Sequence, residues 1–141
     1  RLIDMGLEPF LVASTVEGVM AQRLVRTLCR ECSESFRPER DELPSDFPWD
    51  ELQEQGGQLV RSSGCRACRQ VGYLGRMGIY ELLVTTEQVR NFAHERASSW
   101  EIRKAGIDGG MKTLRQDGWL KVLDGQTSVD EVVRVTKSDR L

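Results

Sequence analysis

The chain has 141 residues, of which 39% are hydrophobic and 30% are charged, and its formal net charge is −2. This composition is typical of a soluble globular protein built as one ordinary domain or two small modules. A run of about 18 apolar residues is absent, which excludes a membrane-spanning helix. The acidic balance argues against a nucleic-acid-binding protein.

The first predicted elements precede the first cysteine. A proline at the first helical position, followed by an apolar run, predicts a short helix over residues 8–15, and Gly18 then breaks the pattern. Residues 19–28 are ambiguous, because their apolar side chains share one face of either a helix or a strand. The residues that define this face are Met20, Leu24 and Leu28.

The four cysteines of the chain form two Cys-x-x-Cys pairs, and 32 residues separate the pairs. Thiolates three positions apart on a tight turn can grip one cation from the same side, and two such turns complete a tetrahedral site. The sequence therefore predicts a closed structural zinc site rather than a catalytic one. Its ligands are Cys29, Cys32, Cys65 and Cys68.

Four cysteines also allow other kinds of site. Two disulfides would suit a small secreted domain, but no signal peptide is visible. A thioredoxin-like redox motif would explain one pair and not two. An iron–sulfur cluster accepts four cysteines, although its usual spacings differ.

Between the cysteine pairs, residues 37–55 are rich in proline and acidic side chains, which predicts a solvated insertion. One short helix is expected from Pro48 through Gln55, with Phe47 and Trp49 pinning the segment to the module. The alternative is an unanchored loop. Arginines flank the cysteines, and we interpret them as offsetting the −2 charge of a four-thiolate zinc site. They are Arg30, Arg61, Arg66 and Arg69.

Glycines and apolar residues follow the second cysteine pair. Three glycines within residues 72–78 predict a turn that leads into a buried strand over residues 79–84. They do not match a phosphate-binding loop. His94 is the only histidine and is interpreted as a surface residue. Two tryptophans at helical spacing are expected in the core: Trp100 and Trp119.

The last third of the chain predicts a unit of about four helices. Thr86 is expected to cap the first helix, and Ser98 or Ser99 to cap the second. The third is predicted over residues 111–123, and the fourth begins within residues 127–131.

Taken in order, these segments resemble the C-terminal part of the secretion ATPases of bacterial type II secretion and type IV pilus assembly, the GspE/PilB group. One motif is the second cysteine pair followed by Gly-Tyr-Leu-Gly-Arg over residues 72–76. The resemblance runs through nearly the whole chain. The segments that carry it are residues 1–11, 21–29, 65–83, 110–118 and 125–136.

The resemblance implies an α/β fragment of a RecA-like ATPase domain, with an inserted tetracysteine zinc-binding module and a small all-α C-terminal subdomain. Residues 1–28 and 69–84 would end the RecA-like domain, 29–68 would be the insertion and 85–141 the helical subdomain. By the same resemblance, residues 19–28 are expected to be a strand.

The resemblance also implies a function for a longer parent protein. That parent would be a cytoplasmic, hexameric ATPase that binds ATP and Mg²⁺ and powers pseudopilus or pilus assembly. It would lie at the inner membrane through a platform protein, without membrane insertion and without nucleic acid. The ATP-binding motifs of the family are not in this sequence, so no catalytic residue is assigned and the fragment alone is not expected to be catalytic.

Two arginines are candidate nucleotide contacts, Arg23 and Arg26. The alternative for both is pairing with acidic side chains, which is the common state of surface arginines. A second hypothesis for the whole chain is a free-standing zinc-ribbon adaptor that binds a protein partner and has no ATP chemistry.

Overall fold

The computed structural model describes residues 1–136, which contain six α-helices, two short 3₁₀ helices and four strands. Strands β1 and β4 pair with each other, and β2 pairs with β3 in an antiparallel ladder that sets Ser33 opposite Ser62 and Phe36 opposite Leu59. The elements in chain order are α1 (Pro9–Thr15), β1 (Gly18–Leu28), β2 (Ser33–Phe36), α2 (Trp49–Glu54), β3 (Leu59–Ser62), β4 (Tyr73–Val84), α3 (Glu87–His94), α4 (Ser99–Asp108), α5 (Leu114–Leu123) and α6 (Val129–Thr136).

The chain forms two compact units. Unit one comprises residues 1–21 and 80–113, and unit two comprises residues 22–79 and the chain from residue 114 onward. The sequence-based division into a RecA-like part, a zinc-binding insertion and a helical subdomain, with boundaries at residues 28, 68 and 84, stays a prediction. The end of the predicted helical subdomain, residues 137–141, lies outside the described residues.

In unit one, capping side chains that the sequence predicts mark the N-termini of helices α3 and α4. Thr86 caps α3 by accepting a hydrogen bond from the Val89 backbone N–H at 3.3 Å. Ser98, rather than Ser99, caps α4 in a reciprocal capping box with Glu101. The guanidinium of Arg90 in α3 donates one hydrogen bond to the carbonyl of Ala13 and another, at 3.3 Å, to the carboxylate of Glu17. These contacts hold α1 against α3.

Residues 19–28 are a strand, as the resemblance implied, and the helix alternative is wrong. The expected turn over residues 72–78 is also wrong, because β4 starts at Tyr73 and runs through Gly75 and Gly78. Gly75 adopts φ +88° within the strand, and a Cβ there would lie 3.0 Å from the Thr27 hydroxyl. The glycine at position 75 therefore allows β4 to approach β1 closely, and it does not form a turn.

The core placement of Trp100 is wrong, since its side chain is 67% exposed. Helix α4 buries Ala105 and Gly106, which lie five and six positions later. At about 100° per residue these positions fall on the opposite side of the helix. The third helix also begins at Leu114 and not at residue 111.

Unit two has an aromatic and aliphatic core. Phe47 packs edge-on against Trp119, with ring centres 5.3 Å apart, so the core placement of Trp119 is confirmed. The insertion over residues 37–55 is therefore anchored, and the loop alternative is wrong. The fully packed cluster consists of Phe47, Leu52, Leu59, Trp119, Val122 and Val132.

Polar contacts fix the insertion to helix α5. Asp46 accepts hydrogen bonds from the Arg115 guanidinium and, at 3.2 Å, from the Trp119 indole N–H. The hydrogen bonds from Arg115 hold the pKa of the Asp46 carboxyl below its usual value. In residues 1–136, no helix is long and apolar enough to cross a membrane.

Candidate metal centre

The four cysteines converge in unit two, as the spacing predicts. Cys29 follows the last residue of β1, and Cys32 ends a 3₁₀ turn over Arg30–Cys32. Cys65 and Cys68 lie in a turn after β3. The Sγ atoms of Cys29 and Cys65 are 3.9 Å apart, those of Cys32 and Cys68 are 3.9 Å apart, and all four lie within 4.8 Å of one another.

These distances test which group the cysteines can hold. A zinc ion with Zn–S bonds of about 2.3 Å places its four sulfurs about 3.8 Å apart at the corners of a tetrahedron. The Sγ atoms of Cys65 and Cys68 are 3.8 Å apart. A disulfide would need a separation of about 2.05 Å, and all four cysteines are free thiols. The residues present fit one tetrahedral metal ion such as zinc.

The β2–β3 ladder brings the two cysteine turns together. Ser63, just after β3, donates its backbone N–H to the carbonyl of Cys32 at 3.2 Å. The Ser62 hydroxyl donates to the carbonyl of Cys29 at 3.1 Å. The geometry of the site is therefore set by hydrogen bonds to the ligand residues' carbonyl groups as well as by the ligands themselves.

Three of the thiols have shifted pKa values. Burial raises the pKa of Cys68, but the backbone N–H groups of Cys65 and Gly72 donate to its sulfur and bring its pKa down to about 6. Burial raises the pKa of Cys32 to about 12 and also raises the pKa of Cys29. Of these three, Cys68 is the thiol that most readily becomes a thiolate ligand.

The arginines near the cysteines are exposed. Arg61 pairs with Glu34 across the β2–β3 ladder at 2.8 Å and lies over the Phe36 ring at 5.1 Å. Arg30, Arg66 and Arg69 are also on the surface. That these side chains offset the charge of a thiolate site stays a prediction.

A second cluster in unit two was missed at the sequence level. It surrounds Glu131 of α6, whose side chain is 1% exposed. One carboxylate oxygen accepts from the Arg26 guanidinium at 2.6 Å, and the other accepts from the Arg26 backbone N–H at 2.9 Å and from Arg134 at 2.8 Å. Burial opposes ionisation, but these donors prevail and lower the pKa of Glu131 to about 2.

Aromatic and hydroxyl contacts extend the Glu131 cluster. The Arg26 guanidinium lies 4.2 Å from the centre of the Tyr73 ring, and the Tyr73 and Ser128 hydroxyls are 2.6 Å apart. Thr127 donates to the carbonyl of Arg26 at 2.7 Å. The cluster therefore ties the start of α6 to the last residues of β1 and the first residue of β4.

The two candidate nucleotide contacts have different surroundings. Arg23 is exposed and donates to the carbonyl of its neighbour Gln22 at 3.3 Å. Arg26 is paired with Glu131, which is the alternative considered for it. A nucleotide contact by either arginine stays a prediction. His94, at the end of α3, is exposed as expected.

The chain, which has mixed α/β content and a four-sulfur site, also matches a known protein family. Residues 1–134 match the model of the family described as type II/IV secretion system protein, so this chain is a member of that family. The resemblance inferred from the sequence motifs is confirmed.

Individual relatives agree with the family match. The chain is similar to the type II secretion system protein E of Pseudomonas aeruginosa, with 42% identity over 99% of this chain and 27% of the relative. It is 41% identical to the type II secretion system ATPase E of Vibrio cholerae, over 97% of this chain and 26% of the relative. It is 39% identical to the type IV pilus assembly ATPase PilB of Thermus thermophilus, over 96% of this chain and 15% of the relative. The chain spans about a quarter or less of these relatives.

Proposed function

We propose that this chain is the zinc-stabilised C-terminal portion of an ATPase that powers pseudopilus or pilus assembly. The observation that carries the proposal is the convergence of four Sγ atoms, 3.8–3.9 Å apart in the measured pairs, within a chain that matches the secretion family over residues 1–134. The names of the relatives, which include a type II secretion ATPase and a type IV pilus assembly ATPase, support the same function.

The metal ligands in this proposal are Cys29, Cys32, Cys65 and Cys68. A zinc ion bound by four thiolates has no open position for water or substrate, so it supplies a cross-link and not a reaction step. The ligands belong to turns that follow β1 and β3 and precede β4. The site would therefore fix the ends of these strands to one another, and its binding free energy would add to the folding free energy of unit two.

At the level of the parent protein, we propose a RecA-like domain, a hexameric assembly and a site for ATP and Mg²⁺ outside this chain. The parent would lie in the cytoplasm and meet an inner-membrane platform protein. Within this chain, Arg23 is the better candidate for a nucleotide contact, because its side chain is exposed and Arg26 is held by Glu131. Catalysis by this chain alone is not part of the proposal.

The free-standing zinc-ribbon adaptor is not favoured. Relatives named as ATPases match 97% of this chain and 96% of it in the two cases above. An adaptor would account for the cysteine site but not for the similarity over the remaining residues.

The test compares the full-length parent protein with two variants. Cys65→Ser removes a metal ligand, and Ser45→Ala, at an exposed loop residue of the same unit, serves as the control. We expect the wild type and the control to contain one zinc per chain and to hydrolyse ATP, and the ligand variant to lose zinc and most of the activity. A zinc-loaded parent without ATPase activity would overturn the ATPase assignment, and an active parent without metal would overturn the zinc assignment.

A further inference from the structure

Gly72 occupies a special position between the metal site and strand β4. It lies four residues after Cys68, directly before Tyr73, the first residue of β4, and it is buried. Its backbone adopts φ +81°. Glycine adopts this left-handed conformation readily, whereas other residues do so at a cost.

The backbone of Gly72 contacts a ligand from each cysteine pair. Its N–H donates to the Sγ atom of Cys68 at 3.2 Å. Its carbonyl accepts from the backbone N–H of Cys29 at 2.9 Å. The hydrogen bonds of Gly72 thus link the second cysteine pair to the first independently of any metal ion.

The surroundings of Gly72 leave little room for a side chain. A Cβ atom would lie 3.0 Å from the backbone carbonyl oxygen of Ser62. That backbone cannot move freely, because Ser62 ends β3 and its hydroxyl donates to the carbonyl of Cys29 at 3.1 Å. A side chain at position 72 would therefore press on this backbone and strain the hydrogen bonds of residue 72 to Cys29 and Cys68.

We propose that Gly72 is a positioning residue for the metal centre, holding Cys68 and Cys29 at the separation that one tetrahedral ion requires. This inference rests on the zinc site proposed above. A hydrogen bond to a ligand sulfur orients the thiolate, and the loss of such outer contacts typically weakens metal binding about 10- to 100-fold. Gly72 acts through two ligands and is not a ligand itself.

The experiment compares Gly72→Ala with Gly56→Ala in the chain of 141 residues. Gly56 belongs to the same unit and also has a positive φ, +102°, but a Cβ there would meet nothing within 4 Å. Both variants therefore carry the backbone cost, and only one disturbs the site. The measurements are zinc content, the rate of zinc transfer to a chromogenic chelator, and the absorption spectrum of the Co²⁺-loaded chain.

We expect Gly72→Ala to keep all four thiols but to release zinc about 10- to 100-fold faster than the wild type, with an altered Co²⁺ spectrum. Gly56→Ala should release zinc at the wild-type rate and show the wild-type spectrum. Equal release rates in the two variants would overturn the positioning role while leaving the zinc site intact.

A second measurement needs no variant and so does not depend on whether Gly72→Ala folds. In the ¹¹³Cd-loaded wild-type chain, the hydrogen bond predicts a scalar coupling between the cadmium nucleus and the Gly72 amide proton. A cadmium-loaded chain that shows no coupling at Gly72 would overturn the inference alone. A wild-type chain that binds neither zinc nor cadmium would overturn both the inference and the zinc site.

Discussion

The two compact units of this chain bury their apolar side chains to different extents. In unit two, large side chains such as Phe47, Leu59 and Trp119 are at most 6% exposed. In unit one, the buried hydrophobic residues are Ala13, Val89 and Ala105. Other apolar side chains of this unit are half-buried, and twelve large ones are exposed by about 40% or more. These twelve are Leu2, Met5, Leu7, Phe10, Leu11, Val19, Met20, Tyr80, Leu82, Val84, Trp100 and Ile107.

This difference shows where the folding free energy of the chain is concentrated. Unit two combines an apolar core, a buried carboxylate with all its donors and four converging thiols. Unit one relies on helix caps and small contacts, each of which contributes about 1 kcal/mol. Substitutions and metal removal should therefore act strongly on unit two and weakly on unit one.

The largest expected effect is that of removing zinc. Because metal binding free energy is folding free energy at such sites, chelation should lower the free energy of unfolding of unit two by several kcal/mol. The measurement is urea unfolding with and without chelator, followed by tryptophan fluorescence in a Trp100→Phe background, so that the remaining signal comes from unit two. Identical unfolding curves would show that the core alone holds this unit.

Trp119 of unit two and Trp100 of unit one give a direct comparison of the units. Trp119→Ala should lower the free energy of unfolding by about 3–5 kcal/mol, because it leaves a cavity beside Phe47. Trp100→Ala should change it by less than about 0.5 kcal/mol, since its side chain is largely in solvent. Thermal and urea unfolding of the zinc-loaded variants measure both. Equal losses would contradict the contrast between the units.

Glu131→Gln should have the next largest effect. It removes the charge that two guanidinium groups surround, and we expect a loss of about 3 kcal/mol in the free energy of unfolding, the low end for a buried pair because Arg26 is partly exposed. The matched control is Glu34→Gln, which breaks the exposed pair with Arg61 and should cost less than about 1 kcal/mol. Urea unfolding at pH 7 compares the two. A loss for Glu131→Gln no larger than the control's would mean that the cluster is only a surface pair.

The smallest effect concerns the pH dependence of the same carboxyl. Its pKa falls from 4.5 to about 2 on folding, so its ionisation stabilises the folded state above pH 4.5 and this contribution is lost as the pH drops toward 2. Between pH 6 and pH 3 the expected loss is about 2 kcal/mol. Glu131→Gln should reduce the difference in free energy of unfolding between these pH values by about that amount. An unchanged pH dependence would contradict the low pKa.

The metal site could be predicted from the sequence because its signal is local. Each Cys-x-x-Cys turn indicates a pair of metal ligands by its spacing alone, whatever the length of the insertion between the two turns. Helix ends at Thr86 and Ser98 were predictable for the same reason, since a cap acts on residues two or three positions away.

Other features depend on residues far apart in the sequence. Glu131 lies in the first turn of α6, where an acidic residue is ordinary, and nothing nearby reveals its pairing with Arg26. Periodicity could not decide between helix and strand for residues 19–28, because the partner strand β4 begins at Tyr73. The prediction that Trp100 lies in the core is wrong because helical spacing alone does not show which face of a helix packs against the rest of the protein.

The central claim is that the four cysteines form a closed structural zinc centre. Elemental analysis of the purified chain, combined with thiol titration before and after chelation, tests it most directly. The expected result is one zinc per chain, with four thiols that react only after chelation. Four freely reactive thiols in a folded, metal-free chain, or iron in place of zinc, would contradict the claim.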